Sequence, residues 1–273
     1  MSNQRYVFFV SDGTGITAET LGGTLLTQFE LVDFKKTTLP FINSPDKARN
    51  TVDYINHLAS QGSRPIVLST TVSDEIRSIL RGCQGLFLDF FDTYIPAIEA
   101  ELGLKSIHAP GRAHGMSDTQ RYNARIDAMN YAMEHDDGQS TRDLTRADII
   151  LIAPSRCGKT PTTLYLALQY GIFATNFPLT EEDLEAQKLP ASLKGLAGKC
   201  FGLTSDADRL HQVRTERRPG SKYASLPQCA YELRQAESLY RKQNVPFINS
   251  ANISIEEIAA VILQEKNLRR QGA

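Results

Sequence analysis

The sequence predicts an α/β protein of two successive domains with mainly parallel sheets. Three observations carry this. Short apolar runs alternate with amphipathic segments over most of the chain, the pattern of parallel strands covered by helices on both faces. One such unit, Asp148 to Tyr170, carries a turn resembling a phosphate loop between its strand and its helix. The 273 residues suffice for one large domain or two modest ones with real apolar cores.

In chain order, Tyr6 to Val10 (YVFFV) reads as a first strand, and Ile16 to Phe29 as an amphipathic helix. The turn between them, SDGTGITAET, sets Asp12, Gly13, Thr14, Gly15 and Thr17 at a helix N-terminus, where phosphate groups bind well. It contains no lysine and no full GxGxxG, so an ordinary structural turn explains it equally well. Val32 to Phe41 is strand-like and edged by Pro40. Ser44-Pro45-Asp46 then opens a helix with Ala48, Val52, Ile55 and Leu58 on its apolar face. His57 falls on this helix and reads as an exposed or core-edge residue. Pro65 to Ser69 is a buried-type strand, Asp74 to Leu80 a helix, Leu86 to Phe90 a strand, and Ile95 to Leu102 a helix.

From Ser106 the pattern changes to polar and turn residues. One helix is predicted there, Ser117 to Met133, with Ser117 as N-cap and Tyr122, Ile126, Met129 and Met133 along one face. His108, Arg112 and His114 precede it, and His135, Asp136 and Asp137 follow it. A solvated linker is the plain reading, but linkers are seldom this rich in His, Asp and aromatic residues together. The expected domains are residues 1–105, an N-terminal α/β domain; 106–147, a helical connecting segment with polar motifs; and 148–273, a P-loop nucleotide-binding domain.

The last of these begins with the apolar run Ile149 to Ile152, which ends in Ala153-Pro154-Ser155-Arg156-Cys157-Gly158-Lys159-Thr160. This nearly matches GxxxxGK[ST], whose backbone N–H groups cradle phosphates while the lysine reaches the β- and γ-phosphates and the hydroxyl holds Mg²⁺. Lys159 and Thr160 take those last two roles. Ala153 stands where the motif has glycine, so the loop must begin with ordinary negative φ or carry strain. Pro161 suits the first helical turn, where its missing N–H costs nothing. The bland alternative is a chance match in a common strand-turn-helix.

Alternation resumes with Phe173 to Pro178 as a strand, Glu181 to Leu184 opening a helix, Lys199 to Leu203 as a strand, and a helix after Thr204-Ser205-Asp206. Phe247 to Asn249 is a last short strand and Ile255 to Gln264 a closing amphipathic helix, the order of a P-loop kinase-like domain. Arg209, Arg214, Arg217, Arg218 and Lys222 form a basic cluster, which reads equally as a phosphate-neutralising lid or as a solvated helix surface.

A net charge of −1 removes the electrostatic case for nucleic acid or an anionic membrane as main partner. No apolar run reaches the roughly 20 residues of a membrane span, and the N-terminus lacks a secretory pattern, so a cytoplasmic protein is expected. Cys83, Cys157, Cys200 and Cys229 are far apart, which disfavours a zinc site and a disulfide framework. Cys157 lies near a helix N-terminus and tends toward thiolate, although a small loop residue explains it more simply.

Taken together, SDGTGITAET, GRAHGMSD, RIDAMNYAMEHDDGQ and APSRCGKTPTTLYLA, in this order and with the closing SIEEIA, resemble the regulatory proteins of pyruvate, phosphate dikinase and phosphoenolpyruvate synthase. The resemblance covers nearly the whole chain. It implies a bifunctional enzyme that phosphorylates a threonine of its target with ADP as donor, and removes it by attack of inorganic phosphate with release of pyrophosphate. The Cys157-Gly158 pair resembles the synthase-directed branch, which makes phosphoenolpyruvate synthase the expected protein partner and the dikinase the alternative. Under this implied chemistry residues 153–160 bind the nucleotide, Lys159 is catalytic, and Asp136 or Asp137 orients or deprotonates the threonine or helps hold Mg²⁺. Arg214, Arg217, Arg218 and the Gly13-Thr14-Gly15 turn are candidates for a second phosphate site. A homo-oligomer is compatible with the sequence. Two rivals stand beside this reading. One is a P-loop kinase of small molecules, disfavoured by the folded stretch of some 150 residues before the loop. The other is a non-catalytic ADP sensor, since no strand ends in an obvious metal-holding aspartate.

Overall fold

A computed structural model describes residues 4–62, 64–107 and 119–268. The chain forms two compact units, residues 1–115 and 116–273, each considered by itself. The expected positions His108, Arg112, His114 and Ser117 lie outside the described residues.

In the first unit β1 (Gln4–Val10), α1 (Ile16–Leu26), β2 (Asp33–Leu39), α2 (Pro45–Ala59), β3 (Ile66–Ser69), α3 (Asp74–Leu80), β4 (Leu86–Asp89) and α4 (Phe90–Leu102) alternate. The strands form one parallel sheet in the order β2-β1-β3-β4. Period-2 alternation splits its core between two faces. Phe8, Val10 and Val67 pack with Ala48, Ile55, Ile76 and Leu80, while Val7, Phe9 and Leu68 pack with Ala18, Leu26 and Phe90. Ser44 and Ser73 cap α2 and α3 through their hydroxyls. Helix α4 starts five residues before Ile95, because the Asp89 carboxylate accepts the Asp92 N–H at 2.8 Å and the helix runs on through Pro96. A proline inside a helix removes one hydrogen bond without abolishing the rest.

The second unit contains α5 (Thr119–Glu134), β5 (Ile149–Ala153), α6 (Lys159–Tyr170), β6 (Ala174–Pro178), α7 (Glu181–Ala186), β7 (Cys200–Thr204), α8 (Ala207–Arg217), α9 (Leu226–Lys242), β8 (Phe247–Asn249) and α10 (Ile255–Glu265). Its sheet is again parallel, in the order β6-β5-β7-β8. Helix α5 belongs to this unit's core, since Ala128, Tyr131 and Ala132 pack with Ile150, Ile152, Ala167 and Phe173.

Helix α9 is the element the sequence reading passed over. Its polar face and the preceding basic residues mask a stripe of Cys229, Leu233, Ala236, Leu239 and Tyr240, all buried. The Tyr240 hydroxyl sits 2.9 Å from the Ile152 carbonyl and 3.0 Å from that of Leu203, tying α9 to two strands. Gly202 leaves room for that ring, because a Cβ there would approach it to 2.7 Å.

Candidate functional site

The site grows from the carboxyl end of β5, where the strand order reverses between β6 and β7. Crevices at such reversals are where open parallel sheets bind ligands. Ala153 is the last residue of β5 and pairs in register with Pro178, so the loop begins in extended backbone. Of the two possibilities left by the missing glycine, ordinary φ is the one realised. The left-handed positions fall later, at Arg156 (φ 75°) and at Gly158 (φ 87°), the N-cap of α6. The first turn of a helix leaves its N–H groups without intrahelical partners, and no side chain caps this one. That end keeps the partial positive charge that suits an anion.

Lys159 opens α6 and is buried, with 5% of its side chain exposed. Its ammonium lies 3.4 Å from the Pro154 carbonyl and 3.8 Å from the Asp137 carboxylate, which is 55% exposed. Burial pushes the Lys159 pKa down from its ordinary value, opposed in turn by Asp137, Cys157 and Asp136. The Thr160 hydroxyl donates to Asp136 Oδ1 at 2.8 Å. Asp136 and Asp137 lie in a short 3₁₀ turn, Asp136–Gly138, that follows α5, and Asp137 takes left-handed backbone (φ 48°). The phosphate loop and the paired aspartates, 24 residues apart in sequence at the Thr160–Asp136 contact, therefore meet at one mouth. A cleft of about 270 Å³ opens there, lined among others by Asp137, Ser155, Arg156, Lys159, Thr160 and Arg217.

The basic cluster divides. Arg214 is fully buried and committed to structure: Nε and Nη2 donate to the Ser155 carbonyl at 3.3 and 3.0 Å, and Nη1 donates to the Tyr223 carbonyl at 3.0 Å. Nη2 also reaches Glu232 at 2.7 Å, and the guanidinium lies over the Tyr223 ring at 4.2 Å. Burial alone would lower its pKa, but the hydrogen bond and charge of Glu232 outweigh this and raise it. The Tyr223 hydroxyl donates to Ser155 Oγ at 3.0 Å, so both residues brace the loop from behind. Arg217 reaches the cleft, and Arg218 is exposed just beyond the end of α8. Cys157 is buried beneath the loop, and desolvation pushes its thiol up to about 12, the behaviour of an inert packing residue.

In the first unit the Gly13-Thr14-Gly15 turn is stitched to its neighbours. Gly13 N–H donates to Ser11 Oγ, the Gly13 carbonyl accepts the Phe41 N–H, and the Asp12 carboxylate accepts the Val72 N–H at 2.7 Å.

Among the described residues no group of three or more His, Cys, Asp or Glu side chains could hold a metal by itself. The Thr160 hydroxyl and Asp136 carboxylate, two hard oxygen donors in contact, nevertheless suit Mg²⁺ of the kind that completes its coordination with substrate phosphates and water. Sequence reasoning missed Asn176, Glu232 and Tyr223. A trace of the first was legible: a Thr-Asn pair interrupting an otherwise apolar buried strand.

The kinase/pyrophosphorylase family model matches residues 7–263. A protein of Stutzerimonas stutzeri (strain A1501) is 50% identical over 269 residues, covering 98% of this chain and 99% of that relative. One from Alkalilimnicola ehrlichii (strain ATCC BAA-1101 / DSM 17681 / MLHE-1) is 51% identical over 270 residues, covering 98% of both. Both bear the provisional name phosphoenolpyruvate synthase regulatory protein.

Proposed function

The chain belongs to the kinase/pyrophosphorylase family, and on that premise we propose that it regulates phosphoenolpyruvate synthase by reversible phosphorylation of a threonine. In the forward direction the threonine oxygen attacks the β-phosphorus of ADP, AMP leaves, and the threonine proton passes to a base. In the reverse direction an oxygen of inorganic phosphate attacks the phosphothreonine phosphorus, forming pyrophosphate and returning the threonine hydroxyl.

The observation that supports this reading best is the junction of Lys159, Thr160, Asp136 and Asp137 at the mouth of the phosphate loop. Phosphoryl transfer asks for positioning and charge neutralisation more than covalent chemistry. Backbone N–H groups of residues 155–160 and the buried Lys159 ammonium bind and orient the diphosphate. In this low-dielectric setting the ammonium stabilises charge developing on the transferred group. Asp137, exposed at the cleft, is placed to accept the threonine proton, and Asp136 holds the Thr160 hydroxyl. Mg²⁺, held by Thr160 and Asp136 when bound, would neutralise phosphate charge. Arg217 and the exposed Arg156 are the cleft cations suited to the second phosphate.

The test is to mix the chain with phosphoenolpyruvate synthase and ADP labelled at the β-phosphate. Label should appear on a synthase threonine with loss of synthase activity, and added phosphate should reverse both with release of pyrophosphate. Nucleotide binding without transfer to the synthase or to pyruvate, phosphate dikinase would overturn the catalytic reading in favour of a sensor.

A further inference from the structure

The two aspartates sit on a three-residue 3₁₀ turn closed by one backbone hydrogen bond, Gln139 N–H to the Asp136 carbonyl, so its position depends on what packs around it. Three consecutive residues of β6 do so. The Thr175 hydroxyl donates to the His135 carbonyl at 2.8 Å. Asn176 Nδ2 donates to Asp136 Oδ1 at 2.6 Å, while Asn176 Oδ1 accepts the Asp137 N–H at 3.1 Å. The Phe177 ring lies against Gly138 (φ 69°), where a Cβ would approach the ring to 2.9 Å. Asn176 is fully buried, and its amide also reaches Thr163 on α6 at 3.4 Å.

A buried primary amide is costly to leave unpaired, yet here it touches the side chain of one aspartate and the backbone of the next. Its donor fixes the rotamer of the Asp136 carboxylate against Thr160, and its acceptor fixes the backbone that presents Asp137 to Lys159. We propose that Asn176 is the positioning residue of this site, the group that holds the aspartate pair in register with the phosphate loop. The proposal rests on the reading that Asp136 and Asp137 serve phosphoryl transfer.

Asn176→Ala should lower kcat by roughly 10²-fold, the scale of a misplacement of about 1 Å, with the KM for ADP changed far less. Asn176→Asp keeps an acceptor for the Asp137 N–H but sets a second carboxylate beside Asp136. Like charges side by side should push the two carboxylates apart, so kcat should fall here too, again with the KM for ADP changed far less. A purely structural asparagine would not produce this split between kcat and KM. The exchanged pair Asp136→Asn with Asn176→Asp restores the hydrogen bond but not the carboxylate at Thr160. Its urea midpoint should lie above that of either single variant while transfer stays lost. Unchanged kcat in Asn176→Ala, or a strictly additive exchange in urea, would overturn the inference. If the wild type itself transfers nothing, the proposed function fails, and the urea cycle alone then decides whether Asn176 holds Asp136.

Discussion

The two units share a strand order and even a turn geometry, yet they surround the same kind of helix N-terminus with different side chains. In each the central strand runs through five loop residues, 11–15 or 154–158, into a helix whose N-cap is a left-handed glycine, Gly15 at φ 83° or Gly158 at φ 87°. The first helical residue then differs: Ile16, half exposed, against the buried Lys159. The first loop also supplies its own anion, Asp12, bonded to the Val72 N–H, whereas the second is met by two aspartates on a separate turn, one of them bonded to Thr160. Backbone shape alone thus makes a helix N-terminus, and the side chains around it decide whether an anion is welcome.

The strongest way to break the contrast is to remove the cation. Lys159→Met should cut turnover by at least roughly 10²-fold, as loss of one transition-state donor does, and leave ADP binding weakened but measurable. Stability should hold or rise, because a buried ammonium with only long contacts is replaced by an apolar chain of similar size. The pH dependence of that gap follows from the lowered pKa of Lys159. Below the folded-state value lysine is protonated in both states and the burial cost is complete. As pH rises through the lowered value the folded form sheds its proton first, and the cost is gone above the ordinary 10.5. The melting difference between variant and wild type should therefore shrink as pH rises into alkali.

Asp12→Ala in the first unit should cost about 1.5–3 kcal/mol in urea unfolding, the worth of a hydrogen bond to a charged group, without changing the kcat of transfer. The two N-cap glycines separate next. Gly158→Ala should cost about 1–2 kcal/mol for the left-handed backbone alone, while Gly15→Ala should cost more, since its Cβ would meet Thr38 Cγ2 at 2.8 Å. Urea midpoints rank the two. The smallest effect is a null one. Asp12→Asn with Ile16→Lys, built in the Lys159→Met background, gives the first loop a cation but no Thr-Asp partner, and should restore no transfer. Any recovered labelling of the target would show that loop and lysine suffice.

Strand and helix positions were largely legible in the sequence because apolar periodicity and capping residues are local signals: Ser44, Ser73 and the Pro40 edge mark boundaries within a few neighbours. The phosphate loop was legible for the same reason, its eight residues being contiguous. Helix α9 was not, since its apolar stripe is diluted by polar residues and only Tyr240, reaching carbonyls of β5 and β7, shows what it covers. The separate fates of Arg214 and Arg217 were equally hidden: three positions apart on one helix, one turns inward to Glu232 and the Ser155 carbonyl, the other lines the cleft. By itself the sequence determined two parallel α/β units, a lysine-bearing loop in the second, and the aspartate pair as a candidate. Only the tertiary structure decided that Asp136 meets Thr160 and that Asn176 joins them, because hydrogen bonds spanning 24 and 40 residues depend on how the sheet and its helices pack.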